Sequence, residues 1–483
     1  MSSSERVLFV LLIVTYLIVG ALFAIRTPDW QAPDEPAHYN YVAQVTTNGC
    51  CPVLELGDWN SVYLDNLKGV HFRPDTLGDL GTIQYEDHQP PLYYLLESII
   101  FRLTNGSLTA LRLFSVLLGA GVVAGAYAVG KALLPNYPQI ALGAAAFVAF
   151  LPQHIAMLAA VENDALAELI VAITLWGIVV YLKSGRVKAW QLGVLVGLGL
   201  LTKISTIFLA GLVPLAILIK WWLQRDTGRR SIPSLLQQAA LFGLPALILA
   251  GIWWLRDLSV YGSPDIFGLG RHNQVVVGQL RTADYIAQLG VGEYLRRGLE
   301  TTFDSFWGQF GWMALPLSNG IYAVILIFLG ITALGWIIGL ARPLEKPLSP
   351  PAGSQEDSLS NEETPPRKDT VFLPSLRSGE GAGVRSVFLP SQRAAWFILT
   401  LTAILALLQY LYYNSEFVQF QGRYMYPGLI PLGLWIALGL DGWRRLFFAD
   451  RRGLVLWIAP AVIALLIPLD LYLVWRVIPS LAP

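Results

Sequence analysis

The run from Val7 to Ile25 holds no charged residue and is long enough to carry a helix across a bilayer, which takes about 20 residues. Comparable stretches recur near Ala110–Val129, Gln139–Leu151, Ala165–Leu182, Leu236–Leu255, Ile321–Ala341, Ala394–Tyr413, Pro427–Leu440 and Leu454–Val477. Such a chain has few options, because backbone groups in lipid must be satisfied within a helix or a closed barrel. Runs of this length make helices, so the expected fold class is an all-α polytopic membrane protein. The first run lacks a small-x-small cleavage pattern and reads as a retained helix. Between Trp190 and Leu223 lies an apolar stretch too long for one span and too short for two. It reads as two shortened helices meeting near Lys203, for a total of about eleven spans.

Charge placement sets the orientation. Arg6, Lys131, Lys183, Arg186, Lys188, Lys220, Arg225, Arg229, Arg230, Arg444, Arg445, Arg451 and Arg452 fall in short loops on one side of this arrangement, which the positive-inside rule makes cytoplasmic. The N-terminus is then cytoplasmic in a multi-pass protein of the cytoplasmic membrane. Two long loops, about 26–109 and 256–320, face outward, and long loops tend to carry function. Within the first, "PPLYYLLESIIFRL" is too short for a span and suits an interfacial helix. Residues 343–393, rich in Pro, Ser, Gly and Glu, read as a disordered cytoplasmic insertion. It divides a transmembrane region, 1–342, from C-terminal helices of the same domain, 394–483. The 33 basic residues match the 33 acidic ones, so no overall field points to nucleic acid. The adjacent pair Cys50 and Cys51 excludes a disulfide framework and reads as two spectator thiols, with a vicinal disulfide as the alternative.

The polar groups that stand out converge on the outer side. "QAPDEPAHYN" places Asp34, Glu35 and His38 just beyond the first span, ahead of a short helix from Pro36 to about Val45 whose apolar face could lie on the membrane. Taken alone, the acids could simply cap that helix. "EDHQPPLYYLL" supplies Glu86, Asp87 and His88, and "VENDALAEL" supplies Glu162, Asn163 and Asp164. Lys203 sits about 13 residues above the cytoplasmic end of its helix, some 20 Å up, and Arg423 lies just outside the tenth span. An ionisable group at such depth is costly and usually functional, with snorkelling to the outer headgroups as the alternative for Lys203. A carboxylate can take a proton from an acceptor hydroxyl, while fixed cations near the headgroups can hold the phosphate of a lipid-linked sugar.

With these residues in view, the order "PDEPAH", "HQPPLYYLL", "END" and "LLTK" resembles the GT-C superfamily of membrane glycosyltransferases, in particular the protein O-mannosyltransferase and aminoarabinose-transferase branches. "DSFWGQFGW" and "QGRYMYP" also resemble a related family of predicted bacterial membrane proteins. The resemblance implies a polyprenyl-phosphate sugar donor and an extracytoplasmic acceptor. It implies catalysis by Asp34, with Glu35 beside it, a second acidic position at Asp164 or Glu162, and lipid phosphate at Lys203, assisted by Arg423. His38 and His88 join the expected substrate-binding set, and Trp307 could line a sugar site by stacking or anchor the interface. The chain lacks the eukaryotic mannosyltransferases' β-trefoil module in its outer loop, which weighs against a protein acceptor, and it departs from their His-Pro-Pro pattern at Gln89.

No cofactor is required by this reading. A divalent metal could use His88 or His154 with Asp34 or Asp164, although no HExxH-type spacing occurs. A transporter or lipid-linked-glycan flippase is the alternative class, and an inactive assembly partner a third. A transporter places its essential acids at mid-membrane, whereas these lie in outer loops.

Overall fold

The computed structural model describes residues 1–224, 231–341, 389–448 and 453–483. Among the described residues eight helices are long and apolar enough to cross a membrane: Ser3–Arg26, Leu108–Leu133, Asp164–Lys183, Ile204–Leu223, Ile232–Tyr261, Asn319–Ala341, Pro390–Glu416 and Leu454–Leu481. The pair Pro138–Phe150 and Pro152–Leu158 makes nine if it is one span; it is bent by 66° where Pro152 cannot continue the hydrogen-bond ladder. The other two segments expected to span are also helical. Ala189–Leu200 is short, and Leu429–Phe448 carries Asp441, Arg444 and Arg445 towards its end.

Small residues let these helices approach closely, as packing in lipid requires. A Cβ at Gly335 would lie 2.0 Å from the Gly439 carbonyl oxygen, so Asn319–Ala341 and Leu429–Phe448 touch backbone to backbone. Gly193 brings Ala189–Leu200 equally close to Phe242 of Ile232–Tyr261. Leu108–Leu133 contributes Val116, Val123 and Val129 to the main core, whereas Ile18, Leu117, Leu247, Ile252 and Leu326 remain exposed, as lipid-facing side chains should. At one end Lys131 pairs with Glu5 at 2.6 Å, Lys183 donates to the Ala132 and Leu133 carbonyls, and Lys220 donates to the Tyr181 carbonyl. These are the basic positions that the charge pattern gathers on one side.

The expected break at Lys203 is present. Helix Ala189–Leu200 stops there, a 3-10 turn spans Ile204–Ile207, and Phe208–Leu223 continues. The Leu92 amide satisfies the freed Leu201 carbonyl at 2.9 Å, so the break is tied to the outer loop.

Three expectations change. Helix Glu35–Asn48 does not lay its apolar face on a membrane: Tyr41, Val42 and Val45 are buried against Tyr93 and Tyr94 of helix Leu92–Thr104. The latter helix instead exposes Leu95, Ile99 and Leu103, which suits an interface. Helix Pro390–Glu416 begins inside the segment expected to be disordered; residues 343–388 of that segment lie outside the described residues, as do Arg225, Arg229, Arg230, Arg451 and Arg452. Cys50 and Cys51 are bonded to each other and are not free thiols.

Candidate active site

The acidic motif divides at its first peptide bond. Asp34 adopts a left-handed backbone (φ 64°) at the start of helix Glu35–Asn48, yet its side chain makes no capping bond. Capping is therefore not its role. One carboxylate oxygen accepts from the Tyr85 hydroxyl at 2.8 Å and the other from Arg423 Nη2 at 2.7 Å. Glu35, one residue on, turns into the protein. It is fully buried and forms a two-pronged pair with Arg112 at 2.6 and 2.7 Å, while the Val161 amide donates to it at 3.2 Å.

Arg112 also donates to the carbonyls of Ala24, Thr27 and Pro28, at the end of the first span. The Glu35–Arg112 pair thus ties the outer loop to two spans and the segment preceding Glu162. A buried pair of this completeness fixes geometry and engages both carboxylate oxygens. The expectation that Glu35 is catalytic is not supported by this placement, because its charge is spent on architecture.

Around Asp34 the cations and acids interlock. Arg423 Nη1 reaches both oxygens of Glu162 at 3.1 Å, and Arg423 Nε donates to Gln421. Lys203 lies 2.6 Å from Asp164 and 3.7 Å from Glu162. Burial would raise the Asp34 carboxyl, but the Arg423 guanidinium, His38 and the Tyr85 hydroxyl together hold it below the usual carboxylate range. Burial pushes Glu162 well up, against the pull of Arg423 and Lys203.

Two cavities meet at Asp34. The larger, about 420 Å³, includes His38, Glu162, Asp164, Lys203 and Arg423 and continues to Ile204, Ile207 and Phe208 at the top of a span. The smaller, about 270 Å³, lies towards Trp59, Lys68, Gln279 and Trp312. Besides Asp34 they share Glu86, His272, Tyr413 and Tyr424.

Residues 88–254 match the family model described as dolichyl-phosphate-mannose-protein mannosyltransferase, a stretch shorter than half of the chain. No curated protein matches the sequence. ArnT from Cupriavidus metallidurans, solved both bound to undecaprenyl phosphate and in the apo state, is similar in structure, with a TM-score of 0.51, 14% identity, and coverage of 99% of this chain and 74% of the ArnT chain. The fold is of the GT-C type. An oligosaccharyltransferase from Archaeoglobus fulgidus, solved in the apo form, aligns with a TM-score of 0.44 and 12% identity over 97% of this chain and 56% of that one.

On this GT-C frame, most of the expected site residues come together. Asp34, His38, His88, Glu162, Asp164, Lys203 and Arg423 all line the larger cavity. His38 is held there by Tyr94, whose hydroxyl lies 2.8 Å from Nδ1. His88 sits deeper, where burial and the neighbouring His272 push its imidazole down to about 3. Burial likewise pushes Asp87 up to about 8, and its carboxylate accepts from Gln44 at 2.8 Å. Besides Glu35, Trp307 lies outside the larger cavity. It is buried edge-on to Phe147 and lines a separate apolar cavity of about 670 Å³, away from the acids.

His154, weighed as a metal ligand, spends both ring nitrogens on Glu168 and the Val148 carbonyl, at 2.6 and 2.7 Å. Among the described residues no cluster of three or more His, Cys, Asp or Glu side chains is arranged to hold a metal. The site also contains residues that the sequence reading passed over. Arg112, in the otherwise apolar "ALRLFSVLL", carried a usable signal as a charge inside a span. Tyr85 carried none, since only the fold turns its hydroxyl onto Asp34.

Proposed function

We propose that this protein transfers a sugar from a polyprenyl-phosphate donor to a hydroxyl on the extracytoplasmic side of the membrane, with Asp34 as general base. The observation that carries this reading is that Asp34 forms a wall of both cavities. The larger combines cations with an apolar floor at the top of a span, which suits an amphiphilic donor: phosphate beside Lys203 and Arg423, prenyl chain towards Ile207 and Phe208. ArnT, solved with undecaprenyl phosphate, supports that assignment of donor class.

In the transfer, the acceptor oxygen forms a bond to the anomeric carbon as the bond from that carbon to the phosphate oxygen breaks. The hydroxyl proton passes to Asp34, and the electron pair leaves with the phosphate. Arg423 and Tyr85 keep Asp34 ionised until donor enters, and transfer of Arg423 to the phosphate leaves the carboxylate a stronger base. The phosphate gains charge as it leaves, so it needs cations more than a proton donor. Lys203 and Arg423 exchange carboxylate partners for phosphate oxygens when donor enters.

The test is donor binding and single-turnover transfer in nanodiscs, using a panel of polyprenyl-phosphate sugars with membrane extract as acceptor. Asp34→Asn should lower turnover by about 100-fold or more while donor still binds. Lys203→Ala and Arg423→Lys should weaken donor binding as well. Near-normal transfer by Asp34→Asn removes Asp34 from the mechanism, and transport in reconstituted vesicles without transfer replaces the enzyme reading with a carrier.

A further inference from the structure

We propose that the smaller cavity is an acceptor site for a neutral carbohydrate, receiving one sugar unit at the end of a larger glycan. This rests on the glycosyltransferase reading above and names the chemistry of its second substrate.

The aromatic walls are held in advance. Trp59 Nε1 donates to the Val277 carbonyl at 2.8 Å and Trp312 Nε1 to the Trp30 carbonyl at 3.0 Å, so each indole has its single donor spent; Trp59 offers the cavity its ring, while the Trp312 ring is already covered by Lys68 and stacked with Phe72. A fixed aromatic surface suits the C–H-rich face of a sugar and costs little ordering on binding. Amides are available for the hydroxyl edge. Gln421 bonds Gln419 Oε1 and Arg423, leaving the Gln419 amide nitrogen without a hydrogen-bond partner among the described residues, and the Gln279 side chain has none there either. Primary amides both donate and accept, as a ring of hydroxyls requires.

Charge argues for a neutral occupant. Lys68 is the single Lys or Arg among the lining residues, and it is already engaged by Asp65 at 3.2 Å and by the Trp312 ring at 4.6 Å. Glu86 and Asp34 line the same walls, so a phosphorylated or acidic acceptor would meet carboxylates with little cation to offset them. The volume, about 270 Å³, is at the lower limit of small-molecule sites and fits a single unit in place of a whole acceptor.

The experiment is saturation-transfer NMR on the full chain in nanodiscs with methyl α-mannopyranoside, methyl β-glucopyranoside and a capped Ser/Thr tripeptide as probes. The variants are Trp59→Leu and Gln279→Ala, each checked for the parent's melting behaviour. We expect ring C–H signals from at least one glycoside, with affinity reduced about fivefold or more in Gln279→Ala and further in Trp59→Leu. No glycoside signal from the parent, signals undiminished in both variants, or a tripeptide signal that alone responds to them overturns the proposal. Asp34-dependent cleavage of a polyprenyl-phosphate sugar, measured on the same parent sample, separates the two readings: if it persists while glycosides fail to bind, only the acceptor class is wrong.

Discussion

Replacing Tyr85 with Phe removes one hydroxyl and should move the acidic limb of the pH–rate profile upward. The Tyr85 hydroxyl donates to Asp34 Oδ1 at 2.8 Å, and it stabilises the ionised carboxylate alone. Hydrogen bonds to charged groups contribute roughly 1.5–3 kcal/mol, and the Asp34 side chain is 27% exposed, which favours the lower end. At 1.36 kcal/mol per pKa unit, about 1.5 kcal/mol corresponds to about one unit. Loss of a group that favours the charged form raises the carboxyl's proton affinity, so activity is lost at higher pH on acidification than in the parent. The assay is single-turnover sugar transfer at saturating donor across pH 3–8, with Tyr413→Phe as control. Tyr413 lines both cavities but makes no hydrogen bond to Asp34, so its variant should leave the limb in place. A limb that stays put in Tyr85→Phe, or shifts downward, refutes the assignment of that limb to Asp34.

Other outcomes follow from the surrounding structure. Glu35→Gln or Arg112→Leu alone should destabilise the fold by about 3–5 kcal/mol, seen as a lower melting temperature and yield, while full stability with lost turnover in Glu35→Gln would return Glu35 to the chemistry. His88 is held neutral, its pKa depressed to about 3, so its contribution to stability is present above about pH 6.5 and lost as pH falls from there. His88→Gln should therefore flatten the drop in melting temperature between pH 7 and pH 5, and an equal drop in both proteins would contradict this. In a background lacking Cys50 and Cys51, a cysteine at exposed Asp79 should react with an impermeant thiol reagent in intact cells and one at exposed Ser184 only after lysis. Deleting residues 345–386 should leave transfer intact, and a folded deletion variant without activity would assign that segment a regulatory role.

The helical frame was legible because lipid leaves the backbone so little freedom: run length alone located the segments, and the surplus length around Lys203 revealed a broken helix. The site was legible as a set of depths and sides, since Asp34, Glu162, Asp164, Lys203 and Arg423 were each marked by charge next to apolar sequence. What adjacency could not reveal was direction. Asp34 and Glu35 look interchangeable in "PDEP", yet one faces a cavity and the other Arg112, and only the left-handed turn between them decides which. Trp307 falls in a different cavity for a related reason, because an aromatic side chain packs as readily into an apolar cavity as into a polar one.

That left-handed turn also limits which base the site can use. At φ 64° a residue with a Cβ pays roughly 1–2 kcal/mol unless, like Asp or Asn, its short polar side chain suits the conformation. A glutamate would bring the same functional group on a longer arm but with a backbone penalty, and it would overshoot Tyr85 and Arg423. Laboratory evolution that randomises position 34 should therefore recover aspartate alone among active clones, with asparagine and glycine as the folded inactive ones. On the proposed mechanism the side chain at this point is selected twice, by the proton it would accept and by the bend it must occupy.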